Sequence, residues 1–72
     1  MAHETHFTDG TEITFNSAEL CTTGFTERDQ LYAWSYLVGT GLCYKLGGWF
    51  EMIARDMIES GKLDEDGTIL DD

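Results

Sequence analysis

The stretch His3-Glu-Thr-His-Phe-Thr-Asp-Gly-Thr-Glu-Ile-Thr-Phe-Asn16 decides the fold class. Asp9-Gly10, set between Thr, Phe and Ile, is a strong hairpin signal. A two-residue turn would pair Phe7 with Glu12 and put Phe7 on the opposite face from Ile13 and Phe15. A three-residue loop, Thr8-Asp9-Gly10 with Gly10 left-handed, pairs Phe7 with Thr11 and Thr5 with Ile13. Phe7, Ile13 and Phe15 then share one face, as a sheet with a single buried side requires. The sequence predicts a β-hairpin with the longer loop.

Outward from the hairpin, residues 17–26 read as a connector with room for a short turn at Ser17-Ala-Glu-Leu20. Thr26 has the character of an N-cap, and Glu27 and Asp29 follow where negative charge suits the helix dipole. A helix over 27–38 puts Leu31, Ala33, Trp34, Leu37 and Val38 on one side and Arg28, Tyr32, Ser35 and Tyr36 on the other. Gly39-Thr-Gly41 ends it. A second helix is expected from Leu42 to Ser60. Its apolar half holds Leu42, Cys43, Leu46, Trp49, Phe50, Ile53, Ala54, Met57 and Ile58, and Cys43, Gly47 and Ala54 form a strip of small residues there. Gly47-Gly48 costs about 2 kcal/mol against Ala-Ala, but the apolar phase runs through the pair, so one continuous helix is predicted. Gly61 suits its C-cap. In the tail, 62–72, a turn falls at Asp66-Gly67, and Thr68-Ile69-Leu70 either adds a short third strand or stays loose. The expected fold is α+β, a single domain over 1–72: an N-terminal β-hairpin packed on two α-helices, ββαα, with the option of a short third strand at the C-terminus.

Charge bounds the partners. The chain carries 14 acidic and 4 basic residues among 72, a formal net charge of −10. Glu51, Asp56, Glu59, Asp64, Glu65, Asp66, Asp71 and Asp72 crowd its last third. Such a chain repels nucleic acid and anionic membranes and is drawn to basic surfaces. At 42% hydrophobic, with two Trp, three Tyr and four Phe, it is too apolar for a disordered acidic tail. There is no apolar run of about 20 residues for a membrane helix. Met1-Ala-His-Glu-Thr-His6 has neither the basic start nor the apolar stretch of a signal peptide. The expected location is the cytoplasm, of the host cell if the gene is phage-borne. There Cys21 and Cys43 stay reduced, and free buried thiols are expected over a disulfide.

Four chemistries fail on their residues. Asp64-x-Asp66-Gly67-x-Ile69 has the spacing of the middle of an EF-hand loop, but Lys62 stands at the first ligand position and no bidentate Glu or following helix is present. His3, His6, Cys21 and Cys43 are the right inventory for zinc at the wrong spacing. No nucleophile–base pair or Gly-rich phosphate loop is legible. Two helices joined at a Gly-containing turn share the outline of a helix-turn-helix, but Glu51, Asp56 and Glu59 would face phosphate with the wrong sign. The expectation is a protein with no enzymatic activity, metal or cofactor, and no direct contact with nucleic acid.

What remains is a surface. Glu51, Arg55 and Glu59 form an i, i+4, i+8 column, read plainly as a salt-bridged solvent face. Asp56, Tyr44 and Met52 stand among those charges, and Asp64, Glu65 and Asp66 follow beyond Gly61. Tyr32 and Tyr36, on the outward side of the first helix, are further anchors unless they pack on the hairpin. Together these residues suit a basic, aromatic-lined groove that normally holds nucleic acid. The leading reading is a small acidic inhibitor, phage- or mobile-element-encoded. It would occupy the basic site of a CRISPR effector, an RNA polymerase, a nuclease or a repair enzyme. The alternative is an acidic accessory or oligomerising subunit with a structural role, in which a homodimer buries Trp34 and Trp49. A third reading is adaptation to high salt.

Overall fold

A computed structural model describes residues 3–20 and 26–70. Four α-helices follow one another: α1 (Phe15–Leu20), α2 (Glu27–Thr40), α3 (Cys43–Leu46) and α4 (Gly48–Glu59). α2 packs against α1 and α3, and α3 against α4. Among the described residues there is no sheet; extended pairing is limited to two isolated bridges, His6–Glu12 and Leu63–Ile69. The expected α+β fold with an N-terminal β-hairpin is therefore wrong, and the protein is helical.

Local competition for backbone groups explains the missing hairpin. The chain does turn at Thr8-Asp9-Gly10: the Phe7 amide donates to the Thr11 carbonyl (2.8 Å), and Ile13 to Thr5 (2.9 Å). The pairing stops there on both arms. On one side the Glu4 amide donates to the Ser35 hydroxyl, 2.9 Å away on α2. On the other, Thr14 and Ser17 cap α1 reciprocally. The Thr14 amide donates to Ser17 Oγ (2.8 Å) and the Ser17 amide to Thr14 Oγ1 (3.2 Å), a short-range arrangement that outcompetes a strand. Phe15, assigned by alternation to the hairpin's buried face, instead opens α1 and is 40% exposed.

The tail repeats the N-terminal turn. In Glu65-Asp66-Gly67-Thr68, as in Thr8-Asp9-Gly10-Thr11, the aspartate accepts from the threonine amide two residues on (Thr68 to Asp66, 3.1 Å; Thr11 to Asp9, 2.9 Å). Both turns close through matching backbone bonds, Asp64 to Thr68 (2.8 Å) echoing Phe7 to Thr11. Over its described part, 62–70, the tail makes one isolated bridge, Leu63–Ile69, and no third strand. It folds back, and Leu63 joins the core at 1% exposure.

α2 is the pillar of the molecule. Thr26 caps it, accepting from the Asp29 amide (3.2 Å), and it runs on to Thr40 before Gly41 ends it. Ala33, Trp34, Leu37 and Val38 are buried, with Ile13, Ala18, Cys43, Ala54 and Leu63 gathered around them. Ser35, on the side expected to be polar, is also fully buried. Its hydroxyl accepts from Glu4 and donates to the Gly67 carbonyl at 2.5 Å, so one side chain ties both ends of the chain to α2.

The predicted helix over 42–60 is also corrected: it breaks at Gly47, whose φ of 125° and ψ of 175° lie outside any helix. Cys43 is a free, buried thiol, whereas Cys21, residues 21–25 of the connector, and Asp71 and Asp72 lie outside the described residues.

Candidate partner-binding face

The break at Gly47 shapes the surface that α4 presents. Restarting at Gly48, α4 buries Ala54 and partly buries Phe50, Ile53, Met57 and Ile58 against the rest of the molecule. At about 100° per residue the opposite arc is centred on Met52, which is 60% exposed. Glu51, Arg55, Asp56 and Glu59 surround it, and with Gly48 they line a shallow groove of about 370 Å³. The groove is open at Gly48, where a Cβ would meet nothing within 4 Å.

Tyr44, 49% exposed, stands on α3 outside the lining of this groove. Partial burial, and then the neighbouring Cys43 thiol, hold its hydroxyl above the ordinary phenol value. Glu51 and Arg55 lie close enough for their charges to act on it as well. The hydroxyl is thus a neutral hydrogen-bonding group at physiological pH. Arg55 Nη2 reaches Glu51 Oε1 at 2.9 Å. Both side chains are well exposed, so the pair contributes at most about 0.5 kcal/mol. Its consequence is electrostatic: the cation neutralises Glu51 and leaves Asp56 and Glu59 as the negative end of the groove.

No family model, curated protein or solved structure matches this chain.

Of the residues singled out in the sequence, Glu51, Met52, Arg55, Asp56 and Glu59 line one groove, with Tyr44 on α3 near enough for the charges of Arg55 and Glu51 to act on its hydroxyl. Asp64, Glu65 and Asp66 sit apart from them, on the second turn, which rests on α2. A Cβ at Gly67 would lie 2.4 Å from the Ser35 carbonyl oxygen. The Asp66 carboxylate is engaged within its turn by the Thr68 hydroxyl (2.7 Å) and amide, in that order the causes that hold its pKa below the ordinary 3.8. Tyr32 and Tyr36, expected to point outward, are half-buried against the core. Arg28 lies over the Tyr32 ring at 5.5 Å, and His3 meets the Tyr36 ring edge-on at 5.8 Å. The N-terminal segment has covered the side of α2 that the sequence left to partners.

Trp49 is a further residue that sequence reasoning misplaced. Expected in the apolar half of the helix, it is 47% exposed. Its inner edge packs on Phe50 (4.9 Å between centroids) and Trp34 (6.0 Å). The signal was present in Gly47-Gly48: a break there puts Trp49 in the first turn of a new helix, at the border of its buried arc. His3 Nδ1 lies 3.0 Å from the Glu4 carbonyl and His6 Nδ1 3.0 Å from the Thr5 hydroxyl. Among the described residues no three His, Cys, Asp or Glu side chains gather as metal ligands. No helix among them is long and apolar enough to cross a membrane.

Proposed function

We propose that this protein is a small acidic inhibitor that occupies the basic nucleic-acid-binding site of a larger protein, stoichiometrically and without turnover. It would act in the host cytoplasm as a phage or mobile-element product, against a CRISPR effector, an RNA polymerase, a nuclease or a repair enzyme. The observation that carries the reading is the outer face of α4, where exposed Met52 stands among Glu51, Asp56 and Glu59, with exposed Tyr44 on the preceding α3, on a chain of net charge −10. Glu51 to Glu59 spans about 12 Å of helix axis, so the three carboxylates on it stand at about half the density of the phosphates of one DNA strand, and Asp56 and Glu59 carry the part that Arg55 does not neutralise. Charge would steer the encounter onto a Lys/Arg channel. Met52 and Tyr44 would then supply desolvated contact at the centre, where binding energy concentrates.

The test is displacement of labelled DNA or RNA from representatives of the four target classes at about 50 and about 250 mM salt. One class should release its nucleic acid at an equimolar ratio, with affinity falling at least tenfold at the higher salt. The triple change Glu51→Lys, Asp56→Lys, Glu59→Lys should abolish release, and Met52→Ala or Tyr44→Ala should weaken it about tenfold, near 1.4 kcal/mol. Release by none of the classes, or release with a salt-independent affinity, refutes the reading.

A further inference from the structure

A second groove, of about 570 Å³, opens between the first half of α2 and α4. Its floor is apolar: Leu31, Trp34, Trp49, Ile53 and Met57. Its rim carries Glu27 and Asp56 as well as Arg28 and Lys62. Two of the four basic residues in the whole sequence therefore stand at this one groove, and its rim is formally neutral on a chain of net charge −10. Trp49 is 47% exposed, so a large aromatic surface stays wet at the mouth of an apolar floor.

We propose that the occupant of this groove is a second copy of the chain, in a twofold-symmetric dimer. A twofold interface sets the same patch against itself, so the patch must be self-complementary. Two acids and two bases around an apolar floor meet that condition: Glu27 and Asp56 of one copy can face Arg28 and Lys62 of the other while the two Trp49 rings cover one another's floors. With the rim formally neutral, the net charge of −10 falls on the rest of the chain, where a second copy is repelled. Trp34 is already buried within one copy at 3% exposure, so Trp49 is the tryptophan that association would shield. This inference does not rest on the inhibitor reading. Asp56 alone is shared with the outer face of α4, so a dimer would still display that face twice.

The salt response has a definite sign. Rim pairs are weakened by salt, but they are few, whereas the repulsion between two bodies of charge −10 acts over the whole molecule and is screened as ionic strength rises. The dimer should therefore tighten with salt, by at least about threefold between about 50 and 500 mM NaCl. Binding to a basic target should do the opposite.

Sedimentation velocity and tryptophan emission over a concentration series test this on the full chain. Expected are a monomer–dimer equilibrium tightened by salt and an emission that shifts to the blue as dimer forms. Glu27→Lys with Asp56→Lys, and Arg28→Glu with Lys62→Glu, should each be monomeric while keeping the helical circular dichroism of the parent. Mixed in equal amounts, the two double variants should associate again, because each supplies the charges that the other now lacks. A protein monomeric to about 1 mM in high salt overturns the proposal. So does a dimer that loosens with salt, a dimer that both folded double variants still form alone, or folded variants that fail to associate when mixed.

Discussion

Two glycines in equivalent places separate backbone strain from packing. Gly10 and Gly67 close the two Asp-Gly-Thr turns with nearly the same left-handed φ, 90° and 89°. A Cβ on Gly10 would meet nothing within 4 Å, whereas one on Gly67 would press on the Ser35 carbonyl oxygen at 2.4 Å and the Gly39 nitrogen at 2.8 Å. Both atoms belong to the backbone of α2 and cannot swing away. Gly10→Ala should therefore cost about 1–2 kcal/mol, the left-handed strain alone. Gly67→Ala adds an overpacking cost of about 1–3 kcal/mol, and it should also loosen the Ser35 link to both chain ends. Urea denaturation of the two variants should show Gly67→Ala as clearly the weaker protein. Equal losses would mean that the tail does not seat on α2. The sequence makes the turns legible but not the difference between them, because the atoms that crowd Gly67 lie far from it along the chain. Ser35 is hidden for the same reason: a serine on a polar arc gives no sign that it will bridge Glu4 and Gly67.

At the scale of elements, the chain was readable where a signal is local and misleading where two signals compete. Thr26 and the apolar spacing of Leu31, Ala33, Trp34, Leu37 and Val38 define α2 because capping and periodicity agree. The N-terminal segment has a real turn at Asp9-Gly10, yet Thr14-x-x-Ser17 offers its second arm a helix start and Ser35 takes up the Glu4 amide from its first. Alternation alone could not weigh these against a strand. In the Leu42–Ser60 segment the apolar phase crosses Gly47-Gly48 undisturbed, and phase says nothing about φ. The two glycines answer differently to substitution. Gly47 sits at φ 125°, so Gly47→Ala is strained and should cost about 1–3 kcal/mol. Gly48 opens α4 with no such strain and with open space around a Cβ. Gly48→Ala should stabilise by about 0.5–1 kcal/mol, by propensity and by a less disordered unfolded chain. Paired thermal melts check both signs. A Gly47→Ala variant as stable as the parent would show that α3 and α4 run together as one helix in solution. The candidate face depends on this break, since a continuous helix would carry Trp49 inward and move Tyr44 relative to Glu51 and Arg55.

For the whole molecule, self-repulsion and the individual shifted groups predict a stability that rises and then falls on both sides of a maximum. At pH 7 the charge of −10 opposes the compact state, and titrating toward the isoelectric point near 4.2 removes that opposition. Asp66, held down first by the Thr68 hydroxyl, and Asp9, held down first by the Thr11 amide, act in the other direction. Because their folded pKa values lie below the ordinary 3.8, their contribution is fully present above that value and is lost as pH falls through the lower folded ones. At high pH the sign reverses. Burial raises Cys43 above 9.0, and partial burial followed by Cys43 raises Tyr44 above 10.0. The unfolded chain therefore ionises first, and stability is whole below about 9 and declines as pH climbs past it. At low salt, Tm should climb as pH is lowered from 7 toward about 5, drop below about 3.8, and drop again above about 9. Adding salt at pH 7 should reproduce the first climb, since screening and neutralisation remove the same repulsion. A gain of about 1 kcal/mol would appear as about 4–8 °C for a domain of this size. Melts by circular dichroism at dilute protein, kept dilute because association grows near the isoelectric point, measure all three limbs. A Tm at pH 7 that is indifferent to salt would mean that the acidic groups are too well dispersed to strain the fold. The steering field on which the outer face of α4 depends would be correspondingly weak.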